Sequence, residues 1–315
     1  MYLFHDMKEM RYMSDRIVEC PILGCNNTVP RQTSSFLCEP QFLCKEHQIY
    51  ISLTTFEYAD VRDNLLWRQG ADVKYLLDIK GVKRECRMAR ERSEDALTWN
   101  VFRYLQNHDL ISQTLERFTG ELLVEPEVIY WSYSAADKGV SSLLKAARKS
   151  FRESAGTEPD IIINSKHHII FVEAKFTSGN ETRPKREAVL DKYLAANDGW
   201  YQQVFQKDIR TVCVDERKYE LMRNYLLGTW LAEQHNKKFT LLTLTGAKYG
   251  RDSDLRFRDC IIENDQFRYI YSYWEELRGV IQNHLPDSLG REIVLDYLSG
   301  KTAGYRGGRL VRAFM

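Results

Sequence analysis

The chain has 315 residues, of which 43% are hydrophobic and 28% charged, and its formal net charge at pH 7 is +1. That composition describes a soluble globular protein with room for one large domain and an appendage, or for two domains. It excludes a disordered chain and a polyanion binder driven by overall charge, so any nucleic-acid surface must be a local patch. Residues 1–9 lack an apolar run of signal-peptide length and no later run approaches a membrane span, so a cytoplasmic location is expected.

Four of the seven cysteines fall between Cys20 and Cys44. In an intracellular chain of this size they do not form a disulfide framework. Cys20 and Cys25 make a C-x4-C pair and Cys44 and His47 a C-x2-H pair, in a stretch with Pro21, Gly24, Asn26, Asn27 and Pro30 as turn formers. Two such knuckles present thiolates and an imidazole tetrahedrally to zinc, and so small a segment buries little core without a metal. Cys20, Cys25, Cys44 and His47 are therefore the expected ligands of a structural or DNA-reading Zn2+. Cys38 is a fifth candidate, and the favoured reading packs it as a small apolar residue beside Phe36 and Leu37.

Residues 54–92 read as helical, with Leu65, Leu66, Trp67, Val73, Leu76 and Leu77 as apolar positions and Gly70 and Gly81 as breaks. Lys80, Lys83, Arg84, Arg87, Arg90 and Arg92, set against Asp78, Glu85 and Glu91, make this the densest basic stretch before residue 158. The functional reading is phosphate contact, and the plain one is a solvated helix face. Ser93 is the expected N-cap of the next helix, whose buried stripe is Leu97, Val101 and Leu105, with Glu94 in the first turn favoured by the helix dipole. A short strand is expected within 122–130. A basic amphipathic helix follows over 141–154, and its Lys145, Arg148, Lys149 and Arg152 are placed to face phosphate.

Residues 158–176 carry the chemistry. Ile161 to Ile163 and Ile169 to Val172 are β-branched and aromatic runs of strand length, and the polar residues 164–167 between them suit a hairpin loop. Alternation puts Ile169, Phe171, Glu173 and Lys175 on one face and Ile170, Val172, Ala174 and Phe176 on the other. With a tight loop, Asp160 lies opposite a residue near Phe171 to Glu173, so two carboxylates and one ammonium converge at one end of the hairpin. Both faces of the second strand are apolar up to Val172, the pattern of a covered central strand, so the charges at its end should line a cleft.

Pro159-Asp160 followed by Glu173-Ala174-Lys175 resembles the PD-(D/E)XK nuclease superfamily. In that family the Asp opens one strand of a hairpin and the Glu-x-Lys closes the next. The resemblance implies a restriction-endonuclease-like α/β fold and a metal-dependent endonuclease acting on DNA. It implies Mg2+ (or Mn2+) held by Asp160 and Glu173, Lys175 as the catalytic lysine, and products with a 5′-phosphate. It also implies one more acidic residue from a preceding helix, which Glu94 fits, with Asp95 as the alternative. Restriction or other anti-phage defence is the expected role, with a homodimer expected on symmetry alone. The alternatives are a non-catalytic nucleic-acid-binding or assembly protein on a nuclease-like scaffold, and a nuclease for RNA or branched DNA.

After the hairpin, 177–186 is a polar loop with few apolar anchors, able to move over a bound nucleic acid. A helix covering the sheet is expected to begin at 200–205, where Gln202 and Gln203 resemble the amide some family members place near the metal. A long helix is expected over 219–235, strands over 239–245 and 267–273, and a helix over 274–283. Residues 300–312 mix glycine with Lys301, Arg306, Arg309 and Arg312 and read as a flexible phosphate-binding arm or a frayed end. The expected class is thus α/β, a mixed central β-sheet flanked by helices. The expected division is a Cys/His zinc module over 1–60, a basic helical connector over 61–92 and a nuclease-like domain over 93–315.

Overall fold

The structure is a computed structural model that describes every residue except 33–36, 84–86, 154–157, 251 and 315. Phe36, Arg84, Glu85 and Ser154, which figured in the expectations above, lie outside the described residues. The chain forms two compact units interleaved along the sequence. One comprises Met1–Val73, Glu85–His108 and Leu277–Met315, and the other Lys74–Arg84 and Asp109–Glu276. Among the described residues no helix is long and apolar enough to cross a membrane.

The second unit is built on a seven-stranded mixed sheet. Its elements in chain order are β1 (Glu127–Tyr130), β2 (Tyr133–Ser134), β3 (Gly139–Val140), α1 (Ser142–Ser150), β4 (Ile161–Asn164), β5 (His168–Ala174), α2 (Tyr219–Gln234), β6 (Lys238–Thr245) and β7 (Phe267–Tyr273). The sheet order is β7-β6-β5-β4-β1-β2-β3. Antiparallel β4 and β5 pair Ile161 with Val172 and Asn164 with Ile169, which is the expected hairpin. β5, β6 and β7 run parallel, so a crossover must return the chain between them, and α2 provides the first. Ile162, Ile169 and Phe171 pack with Leu221, Tyr225 and Leu241 in one core. On α2, Gly228 is where Phe239 crosses the helix, since a Cβ there would run into its ring.

Several local expectations give way to tertiary structure here. Only Glu127–Tyr130 of 122–130 is strand, because Leu122 and Val124 have no core to enter and stay exposed. The expected covering helix at 200–205 is short, Trp200–Val204, and the long element against the sheet is α2. The 177–186 loop is anchored by polar groups: Asn180 is fully buried with its N–H toward Asp254, and Thr182 accepts the Glu220 N–H at 2.8 Å through its hydroxyl. Arg148 on α1 is buried and donates to Ser132 at 3.0 Å, so it does not face solvent as expected, whereas Lys145 and Lys149 do.

The first unit carries two three-stranded antiparallel sheets, Tyr12–Ser14 with Ile17–Glu19 and Thr28–Pro30, and Leu43–Cys44 with Ile49–Ile51 and Phe56–Tyr58. Helices Glu94–Asn107 and Leu289–Gly300 belong to it as well. Ser93 caps the first of these, its hydroxyl accepting the Ala96 N–H at 3.1 Å. Among the described residues of 54–92 only Ala71–Val82 is α-helix, because Phe56 and Tyr58 alternate inward as a strand paired with Ile49–Ile51. Gly70, at φ +55°, sits just before that helix, and Gly81 lies inside it rather than breaking it.

Residues 300–312 are no loose arm. They form a hairpin, Thr302–Arg306 with Arg309–Arg312, and Tyr305 enters the same core as Cys20, Cys44, Ile49 and Phe56. Lys301 is buried and bonds the Glu91 carbonyl, while the Glu91 carboxylate lies 3.5 Å from its Nζ and accepts from Thr55 at 3.1 Å and Thr302 at 2.8 Å. This lysine is therefore a structural cation, not a phosphate ligand. Lys301→Met, which strands the buried Glu91 carboxylate, should cost about 3–5 kcal/mol. The measurement is the denaturant midpoint of this unit, and an unchanged midpoint would show the pair to be dispensable.

Candidate active site and Cys/His cluster

Asp160 directly precedes β4, and the register Ile161↔Val172 brings it to Glu173 at the end of β5. Its two oxygens are held separately: Oδ2 accepts the Ala174 N–H at 2.9 Å and Oδ1 accepts the Trp131 indole N–H at 3.0 Å. Glu173 is only 2% exposed. Its Oε1 accepts from Lys175 Nζ at 2.5 Å and its Oε2 from the Asn224 amide at 2.9 Å. Lys175 also lies 3.5 Å from Glu220. Its backbone is tied on both sides, N–H to Leu244 at 2.7 Å and C=O from the Trp274 indole at 3.0 Å.

These groups meet because of chain topology. β5 and β6 are parallel, so their carboxyl ends share one edge of the sheet, and such edges are where α/β proteins place ligands. The crossover α2 begins at that edge, and its Glu220 and Asn224, four residues apart, share a helix face. Burial pushes the Glu173 carboxyl well above its ordinary value of 4.5; Lys175 opposes that rise, and Glu220 and Asp160 add to it. A buried acid surrounded by other acids, with one ammonium beside it, is a site with too little positive charge. Among the described residues the Asn224 Oδ1 is buried with no hydrogen-bond partner, a second sign of a group to be accommodated there. The donor set, carboxylate and amide oxygens, suits a hard divalent cation.

Sequence reasoning did not reach Trp131, Glu220 or Asn224. Gln202 and Gln203 are exposed on their short helix, and the amide beside Glu173 is that of Asn224. The signal for α2 was present: a helix crossing over from β5 must start at the carboxyl edge, so its first two turns are where partners for Glu173 should be sought. Glu94 is the first residue of the Glu94–Asn107 helix and belongs to the first unit, whereas Asp160, Glu173 and Lys175 belong to the second.

In the first unit Cys20, Cys25, Cys44 and His47 come together, with one ligand atom from each all within 4.8 Å of one another. Cys20 Sγ lies 3.8 Å from His47 Nδ1, Cys44 Sγ lies 3.7 Å from the same nitrogen, and Cys25 and Cys44 sulfurs are 3.9 Å apart. Those separations fit the edges of a tetrahedron about a zinc ion with bonds of about 2.0–2.3 Å. Burial pushes the Cys20 and Cys25 thiols up and outweighs the backbone N–H groups that favour their thiolates, a balance that a bound cation would reverse. Cys38 is exposed and outside the cluster, so it neither ligates nor packs as the apolar residue expected.

Residues 49–291 match the model of a family described as restriction endonuclease associating with ARP. No curated protein and no solved structure matches the chain.

Proposed function

The chain belongs to the family of restriction endonucleases associating with ARP, and on that premise we propose that it is a metal-dependent PD-(D/E)XK endonuclease hydrolysing phosphodiester bonds in DNA. The observation that carries this reading is the convergence of Asp160, Glu173 and Lys175 at the carboxyl edge of β5. Asp160 and Glu173 would hold Mg2+, which when bound polarises a phosphate oxygen and acidifies water. Lys175 exchanges its pairing with Glu173 for the attacking water and for charge developing on the phosphorane-like transition state. Glu220 keeps the ammonium at the edge of the site, and Asn224 fixes the rotamer of Glu173.

The same proposal assigns Zn2+ to Cys20, Cys25, Cys44 and His47 as a structural ion, a homodimer for double-strand cutting, and restriction or phage defence as the role. The test is incubation of the purified protein with supercoiled and linear DNA, and separately with RNA, in Mg2+ and in chelator. Nicking or linearisation only in Mg2+ is expected. Cleavage of RNA alone would move the substrate, and no cleavage of either would favour a binding protein on a nuclease-like scaffold. Asn224→Ala should weaken Mg2+ affinity about 10- to 100-fold, the usual cost of losing a residue that orients a metal ligand. Calorimetric titration of Mg2+ into the variant measures this, and unchanged affinity would remove Asn224 from the site.

A further inference from the structure

The hairpin Thr302–Arg306 with Arg309–Arg312 turns through Gly307 and Gly308 at φ +57° and +83°, a two-residue turn with both central residues left-handed. That turn sets Arg306 and Arg309 directly opposite each other. The turn is seated against the strand that carries Tyr12: the Gly308 carbonyl accepts the Met10 N–H at 2.8 Å, and a Cβ on Gly308 would lie 3.6 Å from the Tyr12 ring. The Arg31 guanidinium carbon lies 4.5 Å from the centroid of that same ring, and the Arg31 N–H donates to the Arg16 carbonyl at 2.7 Å. Arg11 and Arg16 are exposed on the same short hairpin, and Tyr12 is 39% exposed.

Five arginines are thus carried by this small sheet and the hairpin seated against it, in a chain whose total charge is only +1; the acids of the same stretches are Asp15, Glu19 and Glu9, whose carboxylate accepts the Leu310 N–H at 2.8 Å. Arginine rather than lysine, with one guanidinium lying over an aromatic ring, is the chemistry of bidentate phosphate contact. We propose that Arg11, Arg16, Arg31, Arg306 and Arg309, carried by this sheet and the hairpin seated against it, form a docking surface for the phosphate backbone of duplex DNA on the Cys/His-bearing unit. The proposal rests on the nuclease reading for its choice of polyanion. It addresses the backbone alone, so it adds affinity and orientation and no sequence preference.

The test is binding of a labelled random-sequence duplex, followed by anisotropy across a salt series with Ca2+ in place of Mg2+. The variant is Arg306→Gln with Arg309→Gln, and the control removes equal charge from exposed Arg117 and Lys166. The Arg306/Arg309 variant should bind more weakly, and its log K against log salt slope should fall by about 2, close to 1 for each phosphate no longer neutralised. The control should keep the wild-type slope, and both proteins should keep their Cys/His metal content and midpoint. An unchanged slope in the variant, an equal loss in the control, or no DNA binding by the wild type would overturn the proposal. So would intact DNA binding with lost binding to poly-glutamate, which would mark a dock for an acidic protein. Wild type that binds through these arginines yet leaves DNA uncut would uphold the surface and sink the nuclease reading, so the two failures are separable.

Discussion

Asp160→Asn and Glu173→Gln should each bring Mg2+-dependent cleavage below detection, and Lys175→Ala should lower turnover about 10²- to 10³-fold while leaving DNA binding in place. Each carboxylate change removes half of the anionic oxygen set proposed for the metal, and Mg2+ tolerates incomplete shells poorly. Amide isosteres are preferred to alanine because Asp160 accepts from the Trp131 indole and the Ala174 N–H, donors that alanine would strand. The stability of the metal-free proteins provides an internal control. The folded-state pKa of Glu173 is raised, mainly by burial, so the folded chain binds the proton more tightly than the unfolded chain. Its contribution is then most favourable near and below the ordinary value of 4.5 and declines as pH rises above that toward the folded pKa. Metal-free Glu173→Gln should therefore match or exceed the wild-type midpoint at neutral pH, and the difference should close as pH falls toward 4.5. A Lys175→Ala protein that cleaves normally while its midpoint collapses would reduce the triad to a structural ion cluster.

Removal of the Cys/His metal should have the second large effect. Elemental analysis is expected to show about one zinc per chain, and Cys44→Ser should abolish it. Structural zinc sites contribute on the order of 10 kcal/mol at neutral pH, comparable to the whole stability of a typical domain, about 5–15 kcal/mol. The sulfurs of Cys20, Cys25 and Cys44 are themselves part of the core that holds Ile49, Phe56 and Tyr305, so losing the ion should loosen that core as well as the knuckles. Chelator should expose this unit to protease and leave the Asp109–Glu276 stretch protected. Because burial raises the Cys20 and Cys25 thiols, protons compete strongly for the site, and zinc should be released as pH falls. Cys38→Ser should be mild, since that side chain is exposed. A metal-free protein with unchanged midpoint and protease pattern would refute the assignment.

The sheet-centred half of the site was legible because the side-chain period of a strand is two: once 161–163 and 169–172 read as strands, Glu173 and Lys175 had to share a face. The cysteine pairs were legible for a similar reason, their spacing being local. Glu220 and Asn224 were not, although the helix that carries them was, with its start at 219; it is the crossover topology that brings its first two turns to the end of β5 beside Glu173. The Gly-rich stretch 300–312 misled for a physical reason. Gly304 reads as flexibility, yet at φ +76° a Cβ there would collide with the Thr54 carbonyl, so this glycine serves close packing. Lys301 misled likewise, since composition cannot tell a buried counter-ion of Glu91 from a solvated cation.

Interleaving of the two units also bears on the order in which the protein acquires its structure during synthesis. The Asp109–Glu276 stretch leaves the ribosome as one run that already contains every strand of the central sheet, so the sheet can close while downstream residues are still being made. The Cys/His cluster is complete by His47, but its core waits for Tyr305, and Glu91 stays without its lysine until residue 301 has been added. Pairings that span more than 200 positions close slowly, because the intervening loop must lose its freedom before they are made. Until those residues are made, the cysteines would therefore sit in a half-built setting. An ion captured there at once would guard those thiols against oxidation until the last hairpin arrives.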